Sequence, residues 1–191
     1  MAIEAQHTPT LMTLTRQPVP LLDMSDRVKV HLGAYPIYPT SSSSEDPEIV
    51  LIASGSEVSS AIQAAKRLSS SYKVRVVSMP IQSLFDRQPI EYRHLVLATG
   101  KALVIAIETW GSYGWARYAH ASLSMHTFGL SAPQASLFEL FGFGVDTIVE
   151  KVTTFVQRRE KDGKIVLPVV GEFEELLKGH ARQHAGPHGL F

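Results

Sequence analysis

The chain contains no cysteine. Disulfides, thiolate nucleophiles and cysteine zinc sites are therefore excluded, and the absence accords with a reducing compartment. No apolar run approaches the ~20 residues that a bilayer-spanning helix needs, so no membrane partner is expected. The N-terminus, MAIEAQHTPT, has neither a basic region nor an apolar core and does not read as a signal peptide. An excess of either charge is also lacking. The 18 basic and 18 acidic side chains cancel to a formal net charge of zero, and no block of like charge marks a nucleic-acid surface. The C-terminal GLF matches no targeting address, which leaves the cytoplasm as the expected location. What is present suits one globular domain with extensions. The 191 residues are 45% hydrophobic and 19% charged, and a chain of this length buries roughly 70% of its unfolded surface.

Short apolar runs separated by helical periodicity organise the chain. IVLIA (49–53), KVRVVSM (73–79) and ALVIAI (102–107) read as strands buried on both faces. After IVLIA, Ser54 and Glu57 have the spacing of a capping box, and Val58, Ala61, Ile62, Ala65 and Leu68 recur at helical intervals. Two proline-punctuated helical pieces are predicted between Pro80 and Leu97, and SMHTFGL reads as a fourth strand. SAPQASLFELFGF reads as a helix with Ser131 as its cap and Pro133 in its first turn. A further helix carries Val145, Ile148, Val149, Val152, Phe155 and Val156 on one stripe.

The flanks differ. Residues Thr10 to Thr15 read as a buried strand that Pro18 and Pro20 prevent from continuing. Residues 21–47, rich in proline and serine, read as a linker with one short strand near Tyr35 to Tyr38. After Arg159 the pattern fades into a tail with one short helix at Glu172 to Lys178. Strands alternating with helices imply a mostly parallel sheet with helices on both faces. Such sheets place ligands at the carboxyl ends of their strands, where ASGSEV and ETWGSYGW both fall.

Each candidate for chemistry has a plainer rival. SGSEV has the strand-to-helix context in which backbone donors capture phosphate, yet ordinary capping explains the same residues. It carries one glycine and no G-x-G-x-x-G or G-x-x-x-x-G-K-[ST] pattern. In ETWGSYGWARYAH, a helix starting near Ser112 would put Trp115, Tyr118 and Ala119 on one face. The aromatics then form either a stacking platform or buried packing against the sheet. His180, His184 and His188 recur every four residues, as metal ligands on a helix do, but Gly186 and Pro187 interrupt any such helix. His120 and His126 flank a predicted strand without metal-ligand spacing, and no Ser-His-Asp arrangement or G-x-S-x-G elbow is visible. Arg16 stands at the end of the first predicted strand. A guanidinium there can capture phosphate or carboxylate in a bidentate manner or serve only as a surface ion pair.

Taken together and in order, VLIASGSEVSSAIQAAKRL, VRVVSMPIQSLFDRQPIEYRHLVL, AIETWGSYGWARY and FGLSAPQASLFELFGF resemble the C-terminal domain of transketolases and dihydroxyacetone synthases. HTPTLMTLTRQPVPLL resembles the segment that closes the preceding pyrimidine-binding domain, where the family reads LSRQ. The resemblance covers about residues 2 to 157. It implies a three-layer α/β/α domain with a mainly parallel, mixed sheet of about five strands. The corresponding division is a remnant of the preceding domain at 1–20, a linker at 21–47, the C-terminal-like domain at 48–160 and a tail at 161–191. It also implies an enzyme that transfers two-carbon ketol units using thiamine diphosphate and a divalent metal, magnesium or calcium, as a homodimer. The family's Gly-Asp-Gly motif is absent, and the nearest stretch, KDGK, lacks the first glycine. No catalytic, cofactor-binding or metal-binding residue is therefore carried over. The expected role is structural, with the other domains of the enzyme or a complementary subunit as partner. Only Arg16 of LTRQ takes over a functional role, contact with the sugar phosphate in the complete enzyme. The chain departs from the family where MHTFGLSAP replaces an aspartate-arginine pair before FG. A dihydroxyacetone-synthase type would leave a peroxisomal location open. Two rival functions stand beside this one: a free-standing α/β module for a small anion or nucleotide, and one subunit of a split transketolase.

Overall fold

The computed structural model describes residues 7, 9–22, 28–39, 46–169 and 171–178. The sheet is built from β1 (Tyr35–Tyr38), β2 (Ile49–Ala53), β3 (Val74–Ser78), β4 (Leu103–Gly111), β5 (Ala121–Met125) and β8 (Glu174–Glu175). Its order is β1-β3-β2-β4-β5-β8. All neighbours run parallel except β1, which pairs antiparallel to β3. The sheet is therefore mixed and mainly parallel, with one strand more than the expected five or so. A separate two-stranded ribbon joins β6 (Glu160–Lys161) to β7 (Lys164–Ile165).

Alternation along the central strands divides the core into two layers, because successive side chains point to opposite faces. Ile49, Leu51 and Ala53 of β2 and Leu103, Ile105 and Ile107 of β4 face one side. They meet α1 (Glu57–Leu68) and α5 (Val145–Arg158) there. Val50, Ile52, Val104 and Ala106 face the other side, toward α2 (Gln82–Asp86), α3 (Ile90–Leu97) and the single turn of 3-10 helix at Trp115–Arg117. The predicted stripe of α5 is the buried one: Ile148, Val152, Phe155 and Val156 are each fully buried. Each such side chain contributes about 1.5–3 kcal/mol relative to remaining exposed. The exposed Arg67–Asp146 ion pair that links α1 to α5 adds little beside that.

Several local expectations are corrected. Ser54 does not cap α1, because its hydroxyl is drawn to Glu108 instead, and the helix begins after Ser56. Pro133 sits at the cap of α4 (Gln134–Phe141), and Ser131 lies outside it. The fourth strand covers only ASLSM, since His126 to Leu130 are irregular. Residues 10–15 are irregular and exposed, with Leu11 and Leu14 open to solvent. A strand needs a neighbour to satisfy its backbone, and residues 11–15 join no sheet among the described residues. Within the predicted helix at 172–178, Glu174–Glu175 instead form the edge strand β8 and a turn follows. Glu174 N–H donates to His120 O at 3.1 Å and Leu176 N–H to Ser122 O at 2.8 Å, while Leu177 is buried. Arg158 holds the strand from α5 through Glu174 at 2.6 Å. The open edge of β5 outweighs the weak helical preference of a short segment.

Candidate functional site

In the order β3-β2-β4, the chain leaves β2 toward one side of the sheet and returns to the other, so the direction of winding reverses between β2 and β4. A crevice at that switch point is the usual ligand position in open α/β sheets. The structure brings Ser54, Ser56, Glu57 and Glu108 together there. Ser54 Oγ donates to Glu108 Oε2 at 2.6 Å, and Ser56 Oγ donates to Glu57 Oε1 at 2.7 Å. Glu57 is only 3% exposed, and neither acid forms an ion pair among the described residues. Burial is the main influence on Glu108 and pushes its carboxyl up to about 7. The hydroxyl of Ser54 and the backbone of Thr109 work against that rise, while nearby Glu57 adds to it.

This chemistry bears on the phosphate reading of SGSEV. A helix N-terminus attracts anions through its free N–H groups and dipole. Here Glu57 is the first residue of α1 and Glu108 accepts from Ser54 in the turn before it, so this end presents carboxyl groups rather than cations. Nor do the described residues bring three or more His, Asp or Glu side chains together as metal ligands.

A second cluster joins the same edge to β8. Ser112 Oγ donates to Glu175 Oε1 at 2.5 Å, and His126 Nδ1 lies 3.5 Å from Glu175 Oε2. These are the residue types of a hydrolytic triad in the wrong order. The serine meets the carboxylate, so no imidazole is placed to accept its proton. His120 is structural: its Nδ1 accepts the Val104 N–H at 2.9 Å, and burial followed by the charge of Arg159 holds it below the ordinary histidine range.

The aromatic stretch divides into two parts. Trp115 is 4% exposed and meets Tyr118 edge-on at 6.3 Å. Tyr118 donates to Asp86 Oδ1 at 2.8 Å; burial, then Asp86, pushes its hydroxyl up to about 12. These residues, with Ala119, form the packed face that the sequence pattern implied, although only one 3-10 turn carries them. Trp110, at 79% exposed, and Tyr113, at 99%, are open to solvent. Phe128, beyond the adjoining end of β5, is exposed as well.

Arg16 is not brought to either cluster. It lies on the irregular, exposed segment, where Thr15 Oγ1 donates to Gln17 O at 2.8 Å. His180, His184 and His188 lie outside the described residues. The Glu57–Glu108 pair is what residue reading missed. Glu57 passed as a capping residue and Glu108 as a strand's polar end. The available signal was that each acid follows an uninterrupted apolar strand of the same sheet.

Residues 33–144 match the Transketolase-like TK C-terminal domain. The chain is 40% identical over 159 residues to the transketolase of Staphylococcus aureus, covering 80% of this chain and 24% of that protein. It is 38% identical over 150 residues to the dihydroxyacetone synthase of Candida boidinii, covering 78% of this chain and 21% of that one. The solved transketolase from Leishmania mexicana superimposes with a TM-score of 0.69 at 42% identity, over 80% of this chain and 22% of that structure. The chain thus spans about a quarter of the length of the curated relatives it matches.

Proposed function

The chain belongs to the transketolase family, and from that premise we propose that it serves as the C-terminal domain of an enzyme transferring two-carbon ketol units between sugar phosphates. The observation that carries this reading is the match of residues 33–144 to one domain, in a chain that spans about a quarter of its curated relatives. In this reading thiamine diphosphate and its divalent metal belong to the other domains, and the acidic pair at the switch point supports that assignment. Those domains are contributed by the same polypeptide or by a complementary subunit, and the assembled enzyme works as a homodimer in the cytoplasm. The role of this chain is to pack against them. Trp110, Tyr113 and Phe128 supply exposed apolar surface, and residues 109–116 and 127–138 contain no charged side chain. Such a surface suits a partner more than water. Residues 1–20 are the end of the preceding domain, and the exposed Leu11, Met12 and Leu14 favour that assignment.

The test is isothermal titration of thiamine diphosphate with magnesium into the isolated chain. No saturable heat is expected, and stoichiometric binding would overturn the assignment. Within the complete enzyme, Arg16 reaches the phosphate of the sugar. Loss of a hydrogen bond to a charged group costs about 1.5–3 kcal/mol. Arg16→Ala should then raise KM for phosphorylated sugars by about tenfold to a hundredfold, with thiamine diphosphate affinity unchanged. Equal KM values for the two enzymes would remove Arg16 from the site.

A further inference from the structure

A guanidinium group carries N–H donors, no acceptor and a charge it cannot shed, so a buried arginine nitrogen needs an oxygen partner. Arg75, Arg93 and Arg159 are the partly buried arginines among the described residues. Arg75 donates to the carbonyls of Leu95 and Val96, and Arg159 faces Glu172. Arg93 differs. Its Nε is buried without a hydrogen-bond partner, and no acid pairs with it among the described residues. It shares a stripe of α3 with Val96 and Leu97, the positions three and four residues on, and both of these are buried. An unpaired cation held against a core layer is costly. α2 offers it no relief. The two helices meet through Tyr92 and Phe85, whose rings are 6.3 Å apart, but Asp86 at the end of α2 is already engaged. Its Oδ1 accepts from Tyr118 at 2.8 Å, and its Oδ2 pairs with Arg117 at 2.9 Å.

We propose that Arg93 is a docking residue, which receives the carboxylate of an aspartate or glutamate from the domain that packs over α2 and α3. This rests on the reading that the chain packs against the other domains of its enzyme. A guanidinium holds a carboxylate through two parallel N–H bonds, a geometry that a lysine cannot offer. The helix also turns an apolar side chain outward beside it, since Ile90, three residues earlier, is 52% exposed. α2 in turn touches the aromatic stretch, where Gln82 lies beside Gly114, and so links this surface to the loop that bears Trp110 and Tyr113. A dissolved anion is a poorer occupant. Arg117 is committed to Asp86, which leaves one guanidinium to hold it, and a lone solvated ion pair contributes little. A carboxylate carried on a packed domain arrives at high effective concentration, and the same contact shields it from water.

The role makes Arg93→Met act differently in the two settings of the chain. In the isolated chain the substitution removes an uncompensated cation and should leave the urea midpoint unchanged or raise it. In the complete enzyme it should weaken the contact. Amide exchange of residues 90–97 is expected to be slower in the complete enzyme than in the isolated chain. Arg93→Met should speed that exchange by about tenfold to a hundredfold in the complete enzyme, and not in the isolated chain. A lowered midpoint in the isolated chain, or failure of the variant to fold, would assign Arg93 to this fold and overturn the proposal. Unchanged exchange in the complete enzyme would overturn it too, while leaving the packing of the domains in place. Equal protection in the parent chain and the parent enzyme would remove the packing and the docking residue together. Inorganic phosphate tests the dissolved anion. If it raises the midpoint of the isolated chain and Arg93→Met abolishes that rise, Arg93 binds a small anion and the docking role is lost.

Discussion

Gly33→Ala is expected to destabilise the chain by about 2–5 kcal/mol, a value reached by adding a left-handed backbone cost of ~1–2 kcal/mol to an overpacking cost of ~1–3 kcal/mol. Gly33 has φ +82°. A Cβ built on it would clash with Phe85 N and lie 2.5 Å from Ile81 O and 2.8 Å from Leu84 C. All three are backbone atoms, so no rotamer change relieves the contact. The carbonyl of Gly33 also accepts the Ile81 N–H at 3.1 Å, and Phe85 beneath it is fully buried. The alanine must therefore push the start of α2 away from the second core layer. Urea melts should show a large fall in midpoint with an unchanged m value. A midpoint within error of the parent would mean that this turn is not packed as described.

The same glycine shows where sequence reading reached its limit. Composition marked residues 21–47 as a connector, and periodicity did recover β1 inside it. What periodicity could not convey is that Ala34, Tyr35 and Ile37 are buried as an antiparallel edge of the sheet. That burial depends on β3, about forty residues onward in sequence, with Tyr35 opposite Ser78. The central strands were legible because IVLIA and ALVIAI are apolar throughout, as strands covered on both faces must be. β8 was not legible, since EELL suits either state and only the unpaired side of β5 decides it. The site divides in the same way. Its location followed from the strand ends, but the Ser54–Glu108 bond spans 54 residues, and no spacing rule links the two. Arg16 was visible through LTRQ alone. Its role needs surroundings that the described residues do not supply.

The two tryptophans of ETWGSYGW provide the sharpest contrast. Trp115→Ala should cost about 3–5 kcal/mol, the usual range for emptying a buried aromatic site. Trp115 lies in the layer formed by Val104, Ala106, Phe85 and Ala119, and Tyr118 closes its edge while holding Asp86. The surrounding strands are pinned on both sides by the parallel ladder, so the cavity cannot collapse easily. Trp110→Ala, five residues earlier, should change the stability of the isolated chain by no more than about 0.5 kcal/mol, because its ring is already in solvent. Denaturant melts of the two variants against the parent measure both values. The pair of results also separates packing from contact. If the other domains cover the exposed rim, Trp110→Ala should weaken assembly of the complete enzyme while leaving the isolated chain intact. Trp115→Ala should impair assembly only in proportion to the folded population it loses. Equal losses of stability from the two substitutions would contradict the division of this stretch into a buried anchor and an exposed rim.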